Sequence, residues 1–270
     1  MTPSIPDSQL EKFIRNTGWN PDQKGIERVF DEESLKDENV LIFAKGKGIH
    51  VLDRDERIHK ITERRSQVET LCSHKGILYD GGKYNGLYQT ITNEVIASRQ
   101  ICVSHITSHL DKLYFATGNQ VIEALTCNVK QIRVGEIQGL CSHKGRLLDY
   151  SNNTIIYTLA EKPFSGEDER IMGKPALGPL KSSDLCSHKD RLYICHNNII
   201  YDLGSRTCID QGWYCINALC SHEGSLYFAG DDKGIHDITN GKPYAMDWQY
   251  IRALCSHPRK DLVEEGILPP

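Results

Sequence analysis

The sequence predicts an all-β chain in which one four-stranded unit occurs six times and the six units close into a ring. Three observations carry this. A short string recurs at near-constant spacing, each copy is followed by the same order of turn and strand signals, and the two ends of the array are complementary.

The string Leu-Cys-Ser-His stands at Leu71–His74, Leu140–His143, Leu185–His188, Leu219–His222 and Leu254–His257. A variant, Ile106-Thr107-Ser108-His109, fills the one gap. Successive histidines are 35, 34, 45, 34 and 35 residues apart, so only the step from His143 to His188 is long. A period of this size marks a repeat architecture.

After each of the first five histidines the same succession follows. Gly76, Asp111, Gly145, Asp190 and Gly224 come two residues later, types that tolerate the left-handed conformations of tight hairpins. Leu78, Leu113, Leu147, Leu192 and Leu226 come four residues later, and Tyr79, Tyr114, Tyr193 and Tyr227 follow four of them. The string therefore ends one strand and Leu-Tyr begins the next. Third strands are predicted at Gly86-Leu87-Tyr88, Ile155-Ile156-Tyr157, Ile199-Ile200-Tyr201 and Gly234-Ile235-His236, with a weaker fourth such as Glu94–Ala97 or Pro243–Met246.

The ends fix the count. The array opens at Val40-Leu41-Ile42-Phe43-Ala44, a second-strand segment with Asp37 where a His would stand. It closes at Ile251–His257, a first strand, after which Pro258 and Arg259 spoil the turn. Each end holds what the other lacks. Six first strands and six second strands make a six-bladed β-propeller whose first blade takes its innermost strand from the C-terminus. Such closure covers edges that could otherwise pair wrongly.

The run Leu226-Tyr227-Phe228-Ala229-Gly230-Asp231-Asp232-Lys233-Gly234-Ile235-His236-Asp237 resembles blades of the β-propeller repeat superfamily, particularly quinoprotein-like and WD-like blades. The resemblance covers about residues 40–257. The Trp-Asp ending of WD blades and the quinoprotein tryptophan motif are both absent. The resemblance therefore implies a fold and no particular activity, because propellers host enzymes, binders and scaffolds alike.

Residues 1–36 are read as a helical N-terminal arm and residues 37–270 as the propeller. Ser8-Gln9-Leu10-Glu11 fits a capping box, Leu10, Phe13 and Ile14 share a helical face, and Asn20-Pro21 can start a second helix carrying Ile26, Val29 and Phe30. The 270 residues carry a net charge of −4, which argues against a nucleic-acid partner. Met1–Gln9 does not read as a secretory signal, and no stretch approaches a membrane span, so no membrane partner is expected and the expected location is cytoplasmic. The ten cysteines include no C-x-x-C pair and are read mainly as small buried thiols in a reducing compartment.

The six Ser-His pairs, Ser73/His74, Ser108/His109, Ser142/His143, Ser187/His188, Ser221/His222 and Ser256/His257, are the most conspicuous chemistry. Adjacent strand residues point to opposite faces, so a Ser is poorly placed to use its own following His. A device repeated in every blade suits architecture, and each pair is expected to bond backbone groups at the inner turn and lock one blade to the next. Five copies also place Cys and His at i and i+2 on one face, which leaves a metal reading open. No phosphate loop, H-E-x-x-H or Ca²⁺ loop occurs, and Asp53/Asp55 and Asp231-Asp232 read as turn residues. No catalytic residue and no cofactor are assigned.

Breaks in the repeat point to binding. The long interval holds Lys162–Met172, with Phe164, Arg170, Ile171 and Met172 as candidate partner contacts, and Trp213-Tyr214 precedes the last complete blade. The expected function is a non-catalytic binding or scaffold module that contacts a protein or a small-molecule ligand through one propeller face. The alternative is a propeller enzyme, hydrolase- or lyase-like, with its site at the central channel mouth. A cluster of acids, histidines or a metal at one mouth would favour the enzyme, and a clean apolar or mixed-charge surface the binder.

Overall fold

The computed structural model describes residues 39–269 apart from 54, 65, 85, 98–100, 152–153, 161–182, 197–198, 212–214, 232–233 and 246–247. The expected N-terminal arm lies outside the described residues, as do Phe164, Arg170, Ile171, Met172, Trp213 and Tyr214.

Six antiparallel sheets make up the described chain. The first joins β1 (Asn39–Lys45), β2 (Gly48–Leu52) and β3 (Ile58–Glu63) to the last strand, β23 (Ile251–Pro258), in the order β23-β1-β2-β3. The next four-stranded sheets run β4 (Thr70–His74) to β7 (Val95–Ala97) and β8 (His105–His109) to β11 (Asn128–Ile132). Three strands, β12 (Ile137–His143), β13 (Arg146–Ser151) and β14 (Thr154–Ala160), form the fourth sheet among the described residues. Then come β15 (Ser183–His188) to β18 (Thr207–Gln211) and β19 (Ile216–His222) to β22 (Lys242–Tyr244). Innermost strands touch in the order β23, β4, β8, β12, β15, β19 and back to β23, so the ring is closed. We number the blades in that order.

The closure is the one the chain ends predict. Val40 pairs with His257 and Ile42 with Cys255, so the C-terminal strand supplies the inner edge of the first blade. The hairpins explain where the array stops. His74 pairs with Ile77 across a two-residue loop, Lys75 and Gly76, both with positive φ. Lys144-Gly145, Lys189-Asp190 and Glu223-Gly224 repeat this pattern, the twist that suits a tight hairpin. After His257 the chain meets Pro258 at φ −60, a residue whose ring forbids that turn. A short helix, α1 (Arg259–Glu264), follows instead.

The core is divided among six seams between blades. Leu41, Phe43 and Leu254 of the first blade pack with Ala218, Cys220 and Ala229 of the sixth. Cys141, Leu148 and Tyr150 of the fourth pack with Leu185, Leu192 and Ile194 of the fifth. The seam between the first and second blades also buries Leu262 and Leu268, which fastens α1 and the residues after it to the disc. Sequence reasoning did not foresee this helix. Where linkers cross the second strands the backbones come very close: a Cβ on Gly82 would lie 2.1 Å from the Gln67 carbonyl oxygen, and one on Gly230 would lie 2.2 Å from that of Cys215.

Two seams carry an ion pair from linker to blade, one buried on both sides and one with its arginine partly exposed. Arg64 donates from Nε to Asp80 Oδ2 at 2.8 Å and from Nη2 to the other carboxylate oxygen, and Thr90 Oγ1 donates to Asp80 Oδ1 at 2.9 Å. Arg133 meets Asp149 in the same way two blades on, with Nε 2.9 Å from Oδ1. Among the described residues no helix is long and apolar enough to cross a membrane.

Candidate functional site

Strand alternation organises the centre of the disc. Within Leu-Cys-Ser-His, Leu and Ser share one face, and Cys and His share the other. In a ring, one face of each inner strand must meet the opposite face of its neighbour. The Cys/His face of one blade therefore meets the Leu/Ser face of the next. Cys72 packs with Ile106, Cys186 with Leu219, and Cys255 with Leu71.

The polar atoms follow the same logic. His74 Nδ1 lies 2.8 Å from Ser108 Oγ, His109 Nδ1 2.9 Å from Ser142, and His143 Nδ1 2.8 Å from Ser187. His188 Nδ1 lies 2.9 Å from Ser221 Oγ, His222 Nδ1 3.0 Å from Ser256, and His257 Nδ1 2.9 Å from Ser73. Six side-chain bonds thus run once around the channel, one per seam. The partners differ from the backbone groups that sequence reasoning supplied. A Ser and its own His do point apart, yet each Ser finds the His of the preceding blade. The six histidines are buried, and the six serines are partly open to the channel. Tyr79, Tyr114, Tyr193 and Tyr227 each pack a ring against the histidine of their own blade.

Burial sets the charge state of this belt. It lowers the pKa of His74, His188 and His222, and takes that of His257 down to about 4. It also pushes the Cys72, Cys141 and Cys220 thiols up to about 12. Neutral thiols are poor metal ligands. Among the described residues no three His, Cys, Asp or Glu side chains gather as a metal site.

Two residues before each Ser, on the same strand face, the belt gives way to an apolar waist. Leu71, Ile106, Leu140, Leu185, Leu219 and Leu254 line a channel cavity of about 320 Å³ with the six serines. Four residues before the histidines, two of the seams carry a further bond of their own. Thr70 Oγ1 accepts the amide of Ile106 at 3.0 Å, and Asp184 Oδ2 accepts that of Leu219 at 2.9 Å. Burial raises the Asp184 pKa to about 6 against the bonds that its carboxylate accepts from the Leu219 and Leu185 amides, which pull it down.

Five residues before each histidine the pattern stops repeating. Glu69, Ser104, Gln138, Ser183, Asn217 and Arg252 hold that place in the six blades. Glu69, Ser104, Gln138, Asn217 and Arg252 line a second cavity, of about 420 Å³, with Gln67, His105, Glu136 and Ile137. The two cavities share Glu69, His105, Asn217 and Arg252, so the polar mouth opens onto the apolar waist. Arg252 is tied down: Nη1 donates to Asn217 Oδ1 at 3.2 Å and Nη2 lies 3.4 Å from Asp231 Oδ1. Asn217 Nδ2 donates to the same Asp231 oxygen at 2.8 Å, so Asp231 anchors the mouth as well as ending its strand. Glu69 is half-buried, and burial raises its pKa. Gln138 Oε1 and Arg252 Nε are buried without a hydrogen-bond partner.

Sequence reasoning missed the mouth because it followed what repeats. The signal was available as a difference at a fixed distance from each histidine. Of the other acidic residues singled out, Asp53 behaves as a turn residue, accepting the Arg57 amide at 2.8 Å and facing His59 Nε2 at 2.7 Å.

The fold and channel define a β-propeller. A chain of the nidogen/laminin complex superposes with a TM-score of 0.60 at 12% identity, covering 82% of this chain and 99% of that one. A protein provisionally identified as a gluconolactonase superposes at 0.53 with 13% identity, covering 68% and 78%. The WD40 β-propeller domain of Doa1 gives 0.48 at 14% identity, covering 75% and 76%. No family model matches the chain, and no curated protein matches it. Likeness at these identities establishes the fold alone.

Proposed function

We propose that the protein is a non-catalytic binding module whose ligand is a small polar molecule held at the mouth of the central channel. One observation carries this reading. Six inner strands that agree at Ser and His, with Leu in five and Ile106 in the sixth, diverge five residues before the His, and that divergent position lines an open cavity. A scaffold needs the same device in every blade, whereas recognition of one ligand needs unlike groups around it. The mouth is of mixed charge, with Glu69, Glu136 and Arg252, which supports the binder, while His105 beside the two glutamates is the feature that the enzyme alternative would use. Ten free thiols fit a reducing compartment.

Ligand-observed NMR with a library of polar fragments tests the reading. Binders to the full chain should be lost, or weakened about tenfold, in a Gln138→Ala/Arg252→Ala variant that still folds. A library whose binders ignore these substitutions contradicts the proposal. Turnover of an ester or lactone that disappears in Glu69→Gln would replace it with the enzyme reading.

A further inference from the structure

The mouth has a charge imbalance that specifies its occupant. Three charged side chains line the cavity: Glu69, Glu136 and Arg252. The guanidinium is held by Asp231 and Asn217 and reaches Glu69 only through space, so one lining cation is shared among three carboxylates, Asp231, Glu69 and Glu136. Lys83 acts on Glu69 through space but does not line the cavity. A carboxylate held partly out of water without a partner is costly, and a ligand cation would offset that cost. Gln138 Oε1 is a buried acceptor with nothing to accept. An ammonium offers three donors and no acceptor, so it can serve Glu69 and Gln138 together. Directly below lies the apolar waist of five leucines and Ile106.

We infer that the occupant is a small organic cation with an apolar arm, its ammonium held by Glu69 and Gln138 and its arm lying against the leucine waist. This rests on the reading of the mouth as a ligand site. An anion would meet two carboxylates and a guanidinium that is already paired. A neutral alcohol would leave the excess of carboxylates at the mouth in place.

The test titrates the full chain with n-hexylammonium, n-hexanol and n-hexanoate at one ionic strength, following the Gln138 side-chain amide and the leucine methyl groups by NMR. Hexylammonium should shift both sets and bind at least about tenfold more tightly than hexanoate. Glu69→Gln should remove about that factor for hexylammonium and leave hexanol unchanged. Gln138→Leu, which fills the mouth without touching the carboxylate, should weaken hexylammonium as well. Hexanoate or hexanol binding at the mouth as tightly as hexylammonium overturns the cation assignment and leaves the mouth a ligand site. Failure of all three probes to move mouth resonances contradicts both.

Discussion

His257 Nδ1 lies 2.9 Å from Ser73 Oγ, a bond between residues 184 positions apart. It is the same contact that the other five seams make between residues 33 to 44 apart. The side-chain belt and the main-chain pairing of β23 with β1 therefore close together, both on the C-terminal strand.

Deleting residues 251–270 should remove both closures. The inner edge of the first blade would be exposed, along with the seam that buries Leu262 and Leu268. Cooperative thermal unfolding should be lost, as followed by far-UV circular dichroism. A truncated chain that melts like the parent would contradict the closure.

The seam bonds predict a coupling pattern that sequence adjacency would not. His188→Ala should destabilise by about 1 to 3 kcal/mol, because it strands a polar partner. A double-mutant cycle of His188 with Ser221 should show about 0.5 to 1.5 kcal/mol of coupling, and one of His188 with its neighbour Ser187 much less. The reverse ranking in urea titrations would sink the cross-blade assignment.

Acid should loosen the disc before ordinary carboxylates titrate. His74, His188, His222 and His257 have folded-state pKa values below the unfolded one. The native state then binds fewer protons, so their contribution is complete above about pH 6.5 and is lost as pH falls through it. For the fully buried His257, taken down to about 4, this is on the order of 3 kcal/mol. Asp184 runs the other way. Its pKa is raised to about 6, so its contribution is present below its unfolded value and lost as pH rises through about 6; Glu69, also raised, acts in the same sense, and His50, lowered to about 4, joins the four histidines, so the histidines outnumber the acids. The melting temperature should fall from pH 7 to pH 5; a flat or rising profile would refute the neutral belt.

Arg64 and Asp80 should behave as one unit. Both are buried, and removing one leaves the other uncompensated. Asp80→Ala should cost about 3 to 5 kcal/mol in chemical denaturation, with Arg64→Met/Asp80→Leu recovering part of it. A single-variant loss below about 1 kcal/mol would show that water reaches the pair.

Much of this architecture was legible in the residues. Leu-Cys-Ser-His with Gly or Asp two positions on marks a strand and its hairpin, and the mismatch between Val40–Ala44 and Ile251–His257 gives the closure. The cross-blade bonds could also have been derived, since Ser lies on the Leu face and His on the Cys face, and a ring brings those faces together. What hid them was reasoning along one strand when the contact lies between strands. α1 escaped because six residues give too short a period to stand out, and Pro258 reads only as a broken turn. The mouth escaped because Glu69, Gln138 and Arg252 share a place in the fold and nothing in residue type.

The most direct test of this division of labour compares two variants by urea denaturation of the full chain. Glu69→Gln/Gln138→Ala changes the divergent position, and Ser187→Ala cuts one seam bond. The mouth variant should unfold within about 1 kcal/mol of the parent, while the seam variant loses about 1 to 3 kcal/mol. Equal losses in both, or a larger loss at the mouth, would mean that the divergent position holds the fold together and would contradict the account.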